Sequence, residues 1–302
     1  MVTTSPCHGE GRGFESRHSR HSLKYKSLEI MFQKRLWIGL AGLSLGLLVN
    51  PTWAHHPDAE ASPVRSAAKY SFGLDFDAAQ FGWGGFQGKY LATVLKGSAS
   101  FSPVISAGLR VPTYKTWIEG FQSQFGMGDV EVVLRAKTFT PSESTSFWVG
   151  INSELPTGSK SKGLSSGHIE LAPFVSGISD LGAFSMLGSV GVLTSLHGHH
   201  DENEEEGSSD KPNFVAPHAS KELHYQIGAA VSLSARWFSQ FIIGGFTALG
   251  KEQDFPGTSG FTSAQLRYSP EPGSRVTIQP QLGLGGHRRS DWRVTIGWDR
   301  FF

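Results

Sequence analysis

The last eleven residues, Trp292 to Phe302, constrain this chain more than any other stretch, because two kinds of side chain alternate along them. Trp292, Val294, Ile296, Trp298, Arg300 and Phe302 hold one set of positions, and Arg293, Thr295, Gly297, Asp299 and Phe301 hold the other. A period of two is the mark of a β-strand, whose successive side chains point to opposite faces; here one face suits apolar surroundings and the other suits water. At roughly 3.3 Å per residue and a tilt of about 40°, the segment rises about 25 Å, the height of the apolar band of a membrane-spanning barrel. Aromatic residues lie near both rims, where such a strand places its girdles.

Period-two segments recur through the chain, at about 68–78, 89–101, 103–116, 128–140, 145–158, 167–180, 182–196, 223–238, 240–253, 257–269, 274–287 and 291–302. The expected fold is therefore all-β: a transmembrane antiparallel up-and-down β-barrel of about 12 strands. The second and ninth segments are ambiguous, which leaves ten or fourteen open. Loop lengths follow strand parity. Breaks after even segments are tight (Ser102, Pro141 to Ser144, Leu181, Ser239, Pro270 to Gly273), whereas four of the six after odd segments are longer, at 79–88, 117–127, 159–166 and 197–222. Short turns on one side and long loops on the other are what such barrels have, with both chain ends on the short-turn, periplasmic side. No long apolar run exists after residue 54 that would make a helical membrane protein.

Ahead of the barrel, Met31 to Ala54 has the layout of an export signal: Lys34 and Arg35, an apolar run from Leu36 to Val49, then Pro51-Thr52-Trp53-Ala54 with small residues at the cleavage positions. The run is about 14 residues, against roughly 20 for a membrane-spanning helix. The expected organisation is a mis-called leader at 1–30, a signal peptide at 31–54, a periplasmic N-terminal segment at 55–66 and an outer-membrane barrel at 67–302. Within the leader, Gly13-Phe14-Glu15-Ser16-Arg17 resembles a translated T-loop of a transfer-RNA gene, and Met31 is the expected start. Cys7 is the only cysteine and lies in that leader, so disulfides and thiol chemistry are excluded from the expected mature chain. From His55 onward, 20 Lys and Arg face 23 Asp and Glu, a formal charge of −3 that gives no footprint for nucleic acid. The chain's ending on Phe302 resembles the C-terminal signal that the barrel-assembly machinery reads, with Arg300 as a departure from the usual apolar residue.

Two internal stretches carry a family likeness. Gly126-Met127-Gly128-Asp129-Val130 with Leu134-Arg135-Ala136-Lys137, and then Leu155-Pro156-Thr157-Gly158 with Gly163, resemble the outer-membrane proteins grouped under the meta-pathway of phenol degradation. That resemblance implies a barrel acting as a transporter or channel over about residues 100 to 300. Physically, Gly128-Asp129 reads as a hinge where a loop re-enters a strand, and Pro156-Thr157-Gly158 as the place where a hairpin leaves it. Both are structural corners before they are substrate contacts.

The richest chemistry lies in His197-Gly198-His199-His200-Asp201-Glu202-Asn203-Glu204-Glu205-Glu206 and on to His218. Imidazoles and carboxylates suit zinc, nickel, cobalt or copper, so His197, His199, His200, Asp201, Glu202, His218 and His224 are the candidate ligands of a weakly bound divalent transition metal. The competing reading is a solvated acidic loop that holds surface cations loosely. His168, His224 and His287 are expected to face inward beneath it, and His55-His56 form a further candidate site at the expected new N-terminus. No cofactor is required by any motif. Inward-facing charges are mixed: Glu131, Glu154 and Glu170, with Asp75 and Asp77, against Arg135, Lys137, Arg236, Arg267, Arg275 and Arg293, with Arg110. These are the expected pore-lining groups. They either form rings that select ions or pair across a narrow lumen and partly close it, the second being favoured.

The expected protein is not an enzyme. Ser165 and Ser166 lie near His168, which would allow a lipid-modifying enzyme resembling outer-membrane phospholipase A, but no nucleophile motif surrounds them. The favoured function is an outer-membrane channel or substrate-selective porin for passive movement of small molecules or ions, with a divalent-metal link. A metal-linked surface receptor or sensor barrel is the alternative. Its partners would be outer-membrane lipid, the assembly machinery through Phe302, and the solute itself.

Overall fold

Alternating side chains produce β-strand wherever the sequence carries them, and the computed structural model describes residues 69–83, 85–196, 213–249, 258–285 and 290–302. The expected leader, export signal and segment 55–66 lie outside these residues, as do His197, His199, His200, Asp201, Glu202 and His287. In chain order the elements are β1 (Tyr70–Trp83), β2 (Phe86–Ser100), β3 (Ile105–Ile118), β4 (Gln124–Met127), β5 (Val130–Ser142), β6 (Thr145–Leu155), a 3-10 turn (Lys160–Lys162), β7 (Ile169–Asp180), β8 (Ser185–Leu196), β9 (Lys221–Ser232), β10 (Trp237–Ala248), β11 (Thr258–Tyr268), β12 (Ser274–Leu284) and β13 (Trp292–Phe301). Among the described residues, no helix is long and apolar enough to cross a membrane.

Each strand pairs antiparallel with its neighbours, and β1 pairs with β13 from Ser71↔Phe301 to Gln80↔Trp292, which closes the sheet on itself. Closure leaves no edge with unpaired backbone groups, the condition for a sheet in lipid. The short β4 and the longer β5 both pair with β3, through Thr113↔Met127 and Arg110↔Glu131 respectively. They form one staved strand, so the barrel has twelve, as expected. The interruption at Gly128-Asp129 lies against Pro112 of β3, whose carbonyl accepts the Gly128 N–H at 3.0 Å. Gly128 is required there because a Cβ would run into the Tyr114 ring.

The outer surface is apolar. Phe72 and Phe76 on β1, Leu91 and Leu95 on β2, Phe241 and Ile243 on β10, and Ile296 and Trp298 on β13 are exposed, while their neighbours Asp75, Asp77, Gln240, Arg293 and Thr295 are buried toward the interior. This is a soluble protein turned inside out, as a lipid-facing barrel must be.

Several boundaries shift, among them the loop expected at 117–127, which contains β4, and the segments expected to reach 253 and 287, which end at Ala248 and Leu284; two further differences have clear local causes. The loop expected at 79–88 is strand up to Trp83 and again from Phe86, because the alternation continues there with its sense inverted: Ala79 and Phe81 point inward and Gln80 outward. The break expected at Ser239 falls instead between Ser232 and Trp237, where the Ser234 hydroxyl accepts the N–H groups of Arg236 and Trp237 and Leu233 N–H bonds to the Trp237 carbonyl at 2.9 Å. Serine offers the backbone a local partner and so ends the strand.

Candidate functional site

The interior is the site, and it has three parts. On the wall from β12 through β13, β1, β2 and β3 to β5 runs a belt of alternating charge. Arg275 donates to Asp299 Oδ2 through Nε and Nη2 at 3.1 and 3.0 Å. Lys96 Nζ bridges Asp299 and Asp75 at 3.0 and 2.7 Å, and Arg110 lies between Asp75 and Glu131 at 3.5 and 3.6 Å. Beside it, Arg293 Nη2 donates to Asp77 Oδ2 and the Thr295 hydroxyl to Asp77 Oδ1, each at 2.5 Å. Gly73 and Gly297 make room for this belt, since a Cβ on either would strike the carboxylate of Asp299 or Asp75. Four cations meet four anions, so the belt is charge-balanced. Opposite signs pair between neighbouring strands along the wall, whereas the expectation was pairing across the lumen.

The facing wall carries a row of buried amides and hydroxyls. Gln265 donates to Gln279 at 2.6 Å, Gln279 donates to Ser263 at 2.9 Å, and Gln226, Gln240, Ser176 and Ser189 are buried nearby in sequence register.

Toward the loop end the interior becomes apolar. Phe81, Tyr90, Tyr114 and Ile118 project inward and meet Leu164 and the segment Phe214-Val215-Ala216, all buried in one cluster. Phe214, 1 % exposed, packs against Phe86 and Phe121 at ring separations of 5.4 and 5.5 Å. Its N–H bonds to the Gly163 carbonyl at 3.0 Å, and Asn213 Oδ1 accepts the N–H groups of Val215 and Ala216, which turns the segment inward. Part of the longest loop is thus a plug in the mouth.

The expected pore-lining residues divide as follows. Glu131, Glu154, Glu170, Arg267 and Arg293 are buried toward the interior. Arg267 covers the Phe238 ring at 5.0 Å and Lys137 approaches Trp148 at 6.0 Å. Arg135 donates to Ser106 at 3.0 Å. Arg275 joins the belt. Arg236 does not line the interior: it is exposed in the Ser234 turn, because the strand ends at Ser232 and not at the expected 238. Lys96, Asp299 and the aromatic plug carry roles the sequence reading missed. Strand parity alone would have turned Lys96 inward, since Leu91 and Leu95 beside it face out, but nothing local marks Phe214.

Of the candidate ligands, His218 and His224 are described, the first half-buried and the second buried. His224 Nε2 lies 2.8 Å from Glu222 Oε2, with its ring against Phe246 at 4.8 Å. His218 instead meets His168 and Glu170, a grouping that the expected inner ring of His168, His224 and His287 did not contain. The Ser165 hydroxyl accepts the Gly167 N–H and the Ser166 hydroxyl donates to the His168 carbonyl, so both serve the turn before β7.

No family model and no curated protein sequence matches the chain. Among solved structures, it is similar to the COG4313 outer membrane channel from Pseudomonas putida F1, with a TM-score of 0.64 and 12% identity over 84% of this chain and 100% of that one. It is also similar to the NanC porin, with a TM-score of 0.50 and 12% identity over 76% of this chain and 99% of that one. The likeness is one of fold, a closed antiparallel β-barrel. At such identity the likeness concerns backbone architecture; the side chains that line this interior are the chain's own.

Proposed function

We propose that the protein is an outer-membrane channel that lets small solutes move passively through its interior, and that the inward-folded Phe214 segment sets the narrowest point. The observation that carries this reading is a closed barrel with an apolar outer face and a polar inner wall, narrowed at one end by a segment inserted from a loop. A barrel whose only task was anchorage would need neither the glycines that flatten charged side chains against the wall nor a folded plug. The loop end then faces the exterior and the short turns face the periplasm. Because the belt is charge-balanced, it supports solute passage with little preference between anions and cations. The role is transport, with no catalytic step. The meta-pathway resemblance supports a transporter, and leaves the solute to the chemistry of the constriction, where Phe86, Phe121, Phe214, Tyr90 and Tyr114 favour compact molecules with apolar faces. Swelling of liposomes holding the refolded full chain tests this. Uptake rates should fall steeply with solute size, and swelling no faster than in protein-free liposomes for every solute would contradict it.

A further inference from the structure

Four residues after Phe214, the plug meets the barrel wall through chemistry that packing alone does not require. His218 Nε2 lies 2.5 Å from Glu170 Oε1, His168 Nε2 lies 3.7 Å from the same oxygen, and the two imidazole rings meet edge to face at 5.7 Å. One potential ligand atom from each of the three residues falls within 4.8 Å of the others. Glu170 is 2 % exposed on β7, and among the described residues its Oε2 accepts no hydrogen bond. A carboxylate buried so deeply requires compensation by positive charge.

We propose that His168, Glu170 and His218 form a three-ligand site for a divalent transition ion of the zinc, nickel or cobalt class, and that the ion clamps the plug to β7. Two imidazole nitrogens and one carboxylate oxygen are a donor set suited to these ions, with water free to complete the shell. The surroundings of His218 orient it for this task. Its Nδ1 is 3.1 Å from the Ala219 carbonyl, which can only accept, so Nδ1 carries a proton and Nε2 is the nitrogen turned toward Glu170. A carbonyl on the far side of the imidazole is the usual support of a metal-bound histidine. The Ala219 N–H in turn donates to Glu222 Oε1 at 2.6 Å, which ties Ala219 to the start of β9. An ion with ligand bonds of about 2.0–2.1 Å would separate His218 Nε2 and Glu170 Oε1 to roughly 3.3 Å and stand between them. Glu170 sits on a paired strand, so two of the three ligands come from the wall or its first turn and one comes from the plug. Occupancy would tie the two together.

The site itself stands apart from transport, whereas the clamp rests on the channel reading; the tests separate them. The refolded full chain is titrated with zinc by calorimetry, and cobalt absorption reports the geometry of the bound ion. The background is the H197A/H199A/H200A variant, so that histidines outside the proposed site do not contribute. One site per chain should remain in that background. It should lose affinity on the order of 100-fold in H218A and in E170Q, with calcium binding far more weakly than zinc. Heat-modifiable gel mobility confirms that each variant is folded, and E170Q keeps the shape of the site if H218A does not fold. Zinc binding that vanishes in the triple variant, or that is unchanged in folded E170Q, would overturn the site. In bilayers, zinc should reduce conductance of the triple variant and leave its E170Q derivative unaffected. Equal conductance with and without zinc would overturn the clamp while leaving the calorimetric result intact, and absence of any conductance would count against the channel and not against the site.

Discussion

At the scale of single residues, Arg293 and Asp77 show what it costs to build a charged interior. Both side chains are almost wholly buried, at 2 % and 0 % exposure, and Asp77 accepts from both Arg293 and Thr295. Removing one partner strands the other charge, so Asp77→Ala should destabilise the barrel by about 3–5 kcal/mol, whereas a D77L/R293M double variant should recover most of that loss. Urea unfolding in detergent checks the pair, and equal midpoints for single and double variants would refute the assignment. Asp129 makes a similar point at the strand break. Its Oδ1 accepts the Gly158 N–H and its Oδ2 the Ser166 N–H, each at 2.9 Å, while Thr157 Oγ1 accepts the Val130 N–H at 3.0 Å. The two stretches that carry the family resemblance are therefore bonded to each other, as corners of one structure. Asp129→Ala leaves two backbone donors without their acceptor and should cost about 1–3 kcal/mol by the same unfolding measurement; no change would show that solvent replaces the carboxylate.

At the scale of elements, alternation revealed most of the barrel and failed where its physical basis changes. Asp75 and Asp77 point inward beside outward Phe72 and Phe76, as polar-in, apolar-out reasoning expects. Two residues further on, the interior is filled by Phe214 and its neighbours, so inward Ala79 and Phe81 look like the wrong face, and strand was read as loop. The Ser234 turn misplaced Arg236 for a different reason: a hydroxyl captured backbone donors that alternation alone would have left to the strand. His218 was legible as a candidate ligand, but its neighbours Glu170 and His168 lie about fifty positions away, and only folding of the plug brings them together. The closing strand behaves as read. Arg293, Thr295 and Asp299 face inward, Trp292, Ile296 and Trp298 outward, and the Phe302 N–H bonds to the Tyr70 carbonyl at 2.9 Å. Arg300 pairs with Glu271 at the surface, an interaction of small net worth. Phe302→Ala should therefore lower the folded fraction seen by heat-modifiable mobility more than Arg300→Ala, since the terminal aromatic anchors the strand at the membrane interface. Equal folded fractions would argue against that anchor.

At the scale of the whole molecule, closure and filling are separate achievements. Backbone pairing around twelve strands closes the barrel; under the proposed channel function, the charged belt, the glutamine wall and the aromatic plug would decide what passes inside. The belt's even balance predicts weak ion selectivity, and the plug predicts small conductance that a single side chain controls. Single-channel recording of the refolded chain in planar bilayers, with Phe214→Ala beside it, tests this most directly. The account predicts small, weakly selective steps for the native protein and steps several-fold larger for Phe214→Ala. Identical conductance in the two, or silence in both from verified folded protein, would contradict it.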